Sequence, residues 1–361
     1  MNRSTKIVAA LSAVVLVAVG GYLATQSNSS TKEKFTVAMV TDAPGNISDH
    51  SFGQAAWTGL QAWGKDHDLK KGVNGYDYFI SKTQADFTPN FDQAVASKFS
   101  LIGAIGYNLQ EAVEKAAKQY PKTKFALVDS VADAKYKNIQ SLMFNSEQSS
   151  YLTGVAAATK AKALGDTKVG FLGGMKGPVV GRFEYGFREG VASVDKKIKV
   201  EAVYAGSYAD PAKGQLIANT MIAEGIHIIN HVSGGTGNGA FTAVKQHDET
   251  LASGSKAKVW MIGVDIDQAP QGAYTTKDDK KDNFTLTSSL TNVGRGLELS
   301  ANAAMQDKFQ GGKVTYYGLK EGGVSVPTDN LNGPEKAAVE KAKKGIETGA
   351  IKLNYKNQYA N

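Results

Sequence analysis

The chain has 361 residues, is 42% hydrophobic and 21% charged, carries a net charge of +7 and contains no cysteine. That length exceeds one ordinary core and predicts two lobes, and the composition is globular rather than disordered. The missing thiol excludes disulfides, thiolate metal sites and cysteine nucleophiles. Lysines scattered as Lys65, Lys70, Lys71, Lys82 and Lys98, with no interleaved aromatics, argue against nucleic acid and for a basic face toward an anionic membrane.

In chain order, Arg3 and Lys6 precede an apolar run over 7–24, and a polar tract follows over 25–31. A charged start, an apolar middle and a flexible spacer predict that residues 1–31 are an export signal or a retained membrane anchor. Ala18-Val19-Gly20 suits a signal peptidase. From Phe35 the chain alternates. Strands are expected at 35–41, 76–80, 101–106, 125–129 and 139–144, with helices at 52–65, 91–99 and 109–119. In the first helix Phe52, Ala56, Leu60 and Trp63 recur at helical spacing. A second series follows: helix 149–162, strand 168–172, helix 179–194, strand 199–204, helix 211–223, strand 226–231, helix 239–251 and strand 258–264. Such alternation predicts parallel sheets covered by helices, an α/β fold of two lobes. Strand 284–288 is expected to cross back and helix 293–309 to rest on the first lobe. Lobe 1 is then 35–143 with 292–314, and lobe 2 is 145–290 with 316–361. The charged stretch 275–283 reads as a solvated, hairpin-like excursion.

Several crossings make a hinge, and a cleft is expected where strand C-terminal ends meet. Those ends carry Asp42, Asp129 and Asp265. Any one acid reads equally as a loop former or helix cap. All three at equivalent positions suggest a ligand offering hydrogen-bond donors, such as sugar hydroxyls or ring N–H groups. Phe52 at a helix start and Tyr208 after a strand would sandwich a flat ligand, while Phe52 also reads as the first core residue of its helix. The loop Val232-Ser-Gly-Gly-Thr-Gly-Asn-Gly239 fits neither a dinucleotide fingerprint nor a P-loop, and its glycines let backbone approach a neutral ligand. His227 and His231 share a strand face, without an evident third ligand, so a structural role is favoured over a metal pair. No G-x-S-x-G elbow occurs. No catalytic residue, metal site or cofactor is expected, and the chain reads as a binding protein rather than an enzyme.

In order, Thr41-Asp42, Ser51-Phe52-x-Gln54-x-x-Trp57, Gly173-Gly174-Met175-x-Gly177-Pro178, Arg182-Phe183-Glu184, Asp210-Pro211-Ala212-Lys213-Gly214, Gly234–Gly239, Ile262–Gln268 and Gly318–Val324 carry a likeness. The chain resembles the basic membrane protein family of substrate-binding proteins for ABC importers, which includes purine nucleoside receptor lipoproteins. The resemblance runs from about residue 35 to about residue 352. It implies a type I periplasmic-binding-protein fold outside the cell membrane, a nucleoside ligand, expected to be a purine nucleoside, and a permease with a separate ATPase subunit as partners. It also implies that Asp42 and Asp129 engage the base, Phe52 and Tyr208 sandwich it, Gly234 and Gly235 contact the ligand and Asp265 holds the ribose. Gly53 stands where the family usually has Asn, Thr291 where it has a ribose-reaching Lys, and Tyr208 where Phe is common. Gly21 stands near the place of the lipobox cysteine. The rival readings are a pentose or ribose-derived signal as ligand, a nucleoside-cleaving enzyme, or a transcription regulator of similar lobes. The export segment and the absence of an N-terminal helix-turn-helix oppose the last.

Overall fold

The computed structural model describes residues 34–42, 47–48 and 50–356. The export or anchor segment expected at 1–31 lies outside the described residues. Among those described, no helix is long and apolar enough to cross a membrane.

The apolar runs of the first half become strands β1 (Val37–Thr41), β2 (Tyr76–Ile80), β3 (Leu101–Ile105), β4 (Lys124–Val128) and β5 (Ile139–Phe144). With β13 (Val314–Tyr317) they form a six-stranded sheet of order β13-β5-β4-β3-β1-β2, parallel throughout. Helices α1 (Phe52–Asp66), α2 (Phe87–Ala96) and α3 (Gln110–Gln119) connect the strands. A sheet covered on both faces needs continuous apolar strands, and β1 and β3 are buried at every residue. Phe91, Phe125, Ile102 and Leu127 sit in this core. A fully buried ring such as Phe125 contributes about 1.5–3 kcal/mol.

The chain passes through Asn145 into α4 (Ser146–Leu164) and builds a second sheet. Its strands are β6 (Lys168–Gly173), β7 (Lys199–Tyr204), β8 (Ile228–Val232), β9 (Trp260–Asp265), β12 (Thr285–Thr291) and β14 (Val324–Ser325). The order is β14-β12-β9-β8-β6-β7, parallel except for the short antiparallel β14. Helices α5 (Pro178–Val194), α6 (Pro211–Ala223) and α7 (Thr236–Asp248) complete the alternation. The charged stretch over 275–283 is an antiparallel hairpin of β10 (Ala273–Thr275) and β11 (Lys281–Asn283). Helix α8 (Val293–Met305) follows β12 and packs back on α1. Helix α9 (Gly333–Glu347) closes the chain against α4.

The chain passes between the two sheets in three places: at Asn145, at Asn292 and between Tyr317 and Val324. Asn145 and Asn292 adopt nearly the same backbone, φ −81° with ψ 60° and φ −79° with ψ 64°. The third passage braces both. The N–H of Asn145 donates to Tyr317 O at 2.9 Å, and that of Asn292 to Gly323 O at 2.8 Å.

Candidate functional site

In each sheet an acid stands at or just past the end of a strand, on the side where helices begin. In the first half, Asp42 follows β1 and Asp129 follows β4. In the second, Asp265 ends β9, which holds the same place in its sheet as β4 in the other. Asp129 and Asp265 share an unusual backbone, with φ of 61° and 66°. Aspartate tolerates this left-handed region better than most side chains, and such conformations cluster where function needs a side chain re-aimed.

Asp129 feels the charges of the other two carboxyls. Burial pushes Asp129 up to about 7, and the charges of Asp265 and Asp42 push in the same direction, while Arg182 opposes them. Burial likewise raises Asp42 to about 6, against hydrogen bonds from Asn108. The Asn108 side chain donates to Asp42 Oδ2 at 3.1 Å. Gly106, at φ 119°, makes room for this carboxylate: a Cβ there would lie 2.2 Å from Asp42 Oδ2. Arg182, on α5, is already engaged by Glu147 at 2.9 Å and lies 4.8 Å from the Tyr355 ring. The structure therefore brings Asp42, Asp129 and Asp265 into one electrostatic neighbourhood, with Arg182 as a partly spent counter-charge.

Tyr208 lies in the loop between β7 and α6, and its ring is laid on Gly174, where a Cβ would come within 2.4 Å of the ring edge. Gly234 and Gly235 run under its backbone. The carbonyl of Tyr208 accepts the N–H of Thr236 at 3.1 Å, and Thr236 Oγ1 donates to Ser207 O at 3.0 Å. The glycine loop is shorter than expected. Helix α7 begins at Thr236, not at Gly239, and Gly237 and Gly239 are helical. Gly237 is needed there because the His231 ring would meet a Cβ at 2.0 Å. Phe52 opens α1 only partly buried and stands outside the buried core, while Gly53 is buried beside Ile47. Thr291 ends β12 one residue beyond Leu290, the register partner of Asp265. It is 2% exposed, and its Oγ1 has no hydrogen-bond partner among the described residues.

His227 and His231 go to separate partners. His227, just before β8, pairs with Asp166 at 3.0 Å. His231 is fully buried, and burial lowers it to about 4, so it is neutral and its Nε2–H meets Gln268 Oε1 at 2.7 Å. The same Gln268 oxygen accepts the N–H of Val264 at 2.9 Å, beside Asp265. Gln268 Nε2 reaches His50 O of the first half at 3.5 Å. Tyr107, Asn108, Arg182 and Gln268 were not singled out as site residues from the sequence. Tyr107 and Asn108 stand two and three residues beyond the end of β3, as Asp42 stands one beyond β1, so position past a strand end was the available signal.

The comparisons agree with this architecture. Residues 35–355 match the Bmp family, described as ABC transporter substrate-binding protein PnrA-like. The ABC transporter nucleoside-binding protein BmpA of Lactococcus lactis subsp. cremoris is 42% identical over 95% of this chain and 96% of its own length. Basic membrane protein A of Borreliella burgdorferi is 31% identical over 79% and 77%. A solute-binding protein of an ABC transporter system from Aeropyrum pernix K1 superposes with a TM-score of 0.73 at 25% identity, covering 90% of this chain and 94% of that one. With its two helix-covered sheets, the chain has a periplasmic-binding-protein fold and belongs to the Bmp, or basic membrane protein, family of ABC transporter substrate-binding proteins.

Proposed function

We propose that the protein captures a nucleoside, preferentially a purine nucleoside, outside the cytoplasm and delivers it to an ABC permease powered by a separate ATPase subunit. One observation carries the reading: Asp129 lies in the field of Asp42 and of Asp265, an acid from each sheet, and the edge of the Tyr208 ring lies against Gly174. A nucleoside offers ring N–H groups and ribose hydroxyls to such acceptors and a flat face to such a ring. Phe52 stacks on the opposite face, Asp42 and Asp129 take the base, and Asp265 takes the ribose. Gly234 and Gly235 let backbone approach, Gly53 leaves space beside Phe52, and Thr291 presents a hydroxyl. Stacking contributes about 1–3 kcal/mol per base and each hydrogen bond to a charged group about 1.5–3 kcal/mol. The nucleoside-binding name of the lactococcal relative supports the same ligand class. Capture involves no bond chemistry: the halves close on the ligand and present a surface to the permease.

The test is mass spectrometry of small molecules released from purified protein, followed by calorimetry against nucleosides, free bases and pentoses. A released nucleoside that rebinds, and whose binding is lost in Phe52→Ala and Asp265→Ala, is the expected result. Binding of pentoses alone would overturn the ligand assignment, and cleavage of the nucleoside on prolonged incubation would overturn the transport reading.

A further inference from the structure

Gln268 stands three residues beyond β9 and is fully buried in the second half. Its backbone is held on both sides, with the N–H donating to Ser288 Oγ at 3.1 Å and the carbonyl accepting from Thr285 Oγ1 at 3.2 Å. Its amide is oriented by its partners. The backbone N–H of Val264 can only donate, so the atom it reaches at 2.9 Å is the amide oxygen. The same oxygen lies 2.7 Å from His231 Nε2, which must therefore carry a proton. Nδ1 of the neutral ring is then an acceptor, and Ser233 Oγ donates to it at 3.3 Å. Glycine at 263 leaves room for this arrangement, since a Cβ there would lie 2.6 Å from the amide oxygen. The amide nitrogen is left facing the first half, where the His50 carbonyl lies at 3.5 Å. The N–H of His50 donates to Gln54 Oε1 at 2.8 Å, which ties that residue to the first turn of α1. A chain of like-directed hydrogen bonds therefore runs from Ser233, directly before Gly234, to His50, two residues before Phe52.

We propose that Gln268 is a positioning residue of the ligand cleft, whose amide donates across the two halves to the His50 carbonyl, sets Phe52 against the Gly234–Gly235 loop and slows ligand escape. Turning the amide to another partner would leave the buried N–H groups of Val264 and His231 without an acceptor, so the donor stays aimed at the first half. From Ser233 to His50 the links measure 3.3, 2.7 and 3.5 Å. The last and longest alone joins the halves, so it is the link of this chain that breaks when they part. Hydrogen bonds running in one direction strengthen one another, and a neutral bond of this kind changes an equilibrium by roughly three- to tenfold. Such a link acts on dissociation more than on encounter. Burial holds His231 down to about 4, so the order of donors is the same throughout the physiological range.

The inference rests on the nucleoside-capture reading. Its test is stopped-flow kinetics at pH 8 with the nucleoside that mass spectrometry identifies, on Gln268→Glu, Gln54→Leu and the double variant, beside the melting temperature of each ligand-free protein. Gln268→Glu keeps an oxygen for Val264 and His231 and turns a second oxygen, in place of the donor, toward the His50 carbonyl. Gln54→Leu frees His50 from the first half without touching the second. The expected result is an off-rate raised about three- to tenfold in each, an on-rate near wild type, no further increase in the double variant, and ligand-free melting close to wild type. Off-rates unchanged in both single variants, or effects that multiply in the double variant, overturn the inference while leaving nucleoside capture intact. If Gln268→Glu does not fold, an unchanged off-rate in Gln54→Leu overturns it alone. A wild-type protein that binds no nucleoside overturns both readings.

Discussion

The two halves share a skeleton and divide the labour at its equivalent points. Asp129 and Asp265 end matching strands in the same left-handed backbone, and Asn145 and Asn292 turn the chain between sheets with matching dihedrals. At the other strand ends the halves differ. Beyond β1 and β3 the first half places Asp42, Tyr107 and Asn108, whereas beyond the matching β6 and β8 the second half places Gly174, Gly234 and Gly235. The first half supplies polar groups, and the second supplies space, which the Tyr208 loop fills. A duplicated scaffold thus becomes asymmetric through a few positions just past its strands, where side chains leave the sheet's packing constraints.

The matched acids give the largest expected effect. Asp265→Ala is expected to weaken nucleoside binding about 10- to 150-fold, the worth of a hydrogen bond to a charged group, and also to lower the melting temperature, because alanine resists a φ of 66°. Asp265→Asn keeps the backbone tolerance, so it separates the two losses: binding falls and melting stays near wild type. If Asp129→Asn and Asp265→Asn both bind as wild type by calorimetry, the skeleton's symmetry has no role in recognition. Next comes the space in the second half. Gly174→Ala places a Cβ 2.4 Å from the Tyr208 ring and must displace it. About a tenfold loss of affinity is expected without touching any acid, within the range for a stacked ring.

The acid cluster also predicts a pH dependence that belongs mainly to the first half. Asp42 rises to about 6 and Asp129 to about 7, from an ordinary 3.8. Between the ordinary and the raised values the folded protein holds more protons than the unfolded chain, so ligand-free stability falls as pH rises from about 4 through 7. Ligand N–H groups need ionised acceptors, so affinity moves the opposite way and rises by about an order of magnitude from pH 5.5 to 8. Thermal melting with and without nucleoside across that range checks both signs. A ligand-induced shift that is flat with pH would show that the ligand does not draw on these carboxylates.

Much of this was legible in the sequence because burial writes itself into apolar runs. The strands β1, β3 and β4 are largely apolar stretches, and the ends of β1 and β4 pointed to Asp42 and Asp129. Phe52, expected either in the core or at the cleft, is the half-buried start of α1. The less legible parts depend on partners distant in the chain. Strand β13 is largely exposed and shows no apolar run, so only its pairing with β5 identifies it. Helix α7 starts early because Thr236 Oγ1 donates to Ser207 O, distant in the chain, and because glycine at 237 leaves room for the His231 ring. Helix α8 stops at Met305, short of the expected 309. Helix α9 was readable and missed: Asn332 and Glu335 form a capping box with Pro334 in the first turn.

The smallest effect sharpens the asymmetry at Thr291, at the C-terminal end of β12 beside the partner of Asp265. Its hydroxyl is buried with no hydrogen-bond partner among the described residues. An unmet buried hydroxyl costs about 1–3 kcal/mol, a cost that a ligand contact would offset. Thr291→Val keeps the shape and removes the hydroxyl. The ligand-free protein is then expected to melt at the same temperature or a few degrees higher, by about 1 kcal/mol, while the shift produced by saturating nucleoside shrinks. A gain in ligand-free stability with an undiminished nucleoside shift would place the hydroxyl outside recognition. The asymmetric supply of polar groups would then rest with the first half and the two matched acids, and Thr291 would be part of the packing of β12.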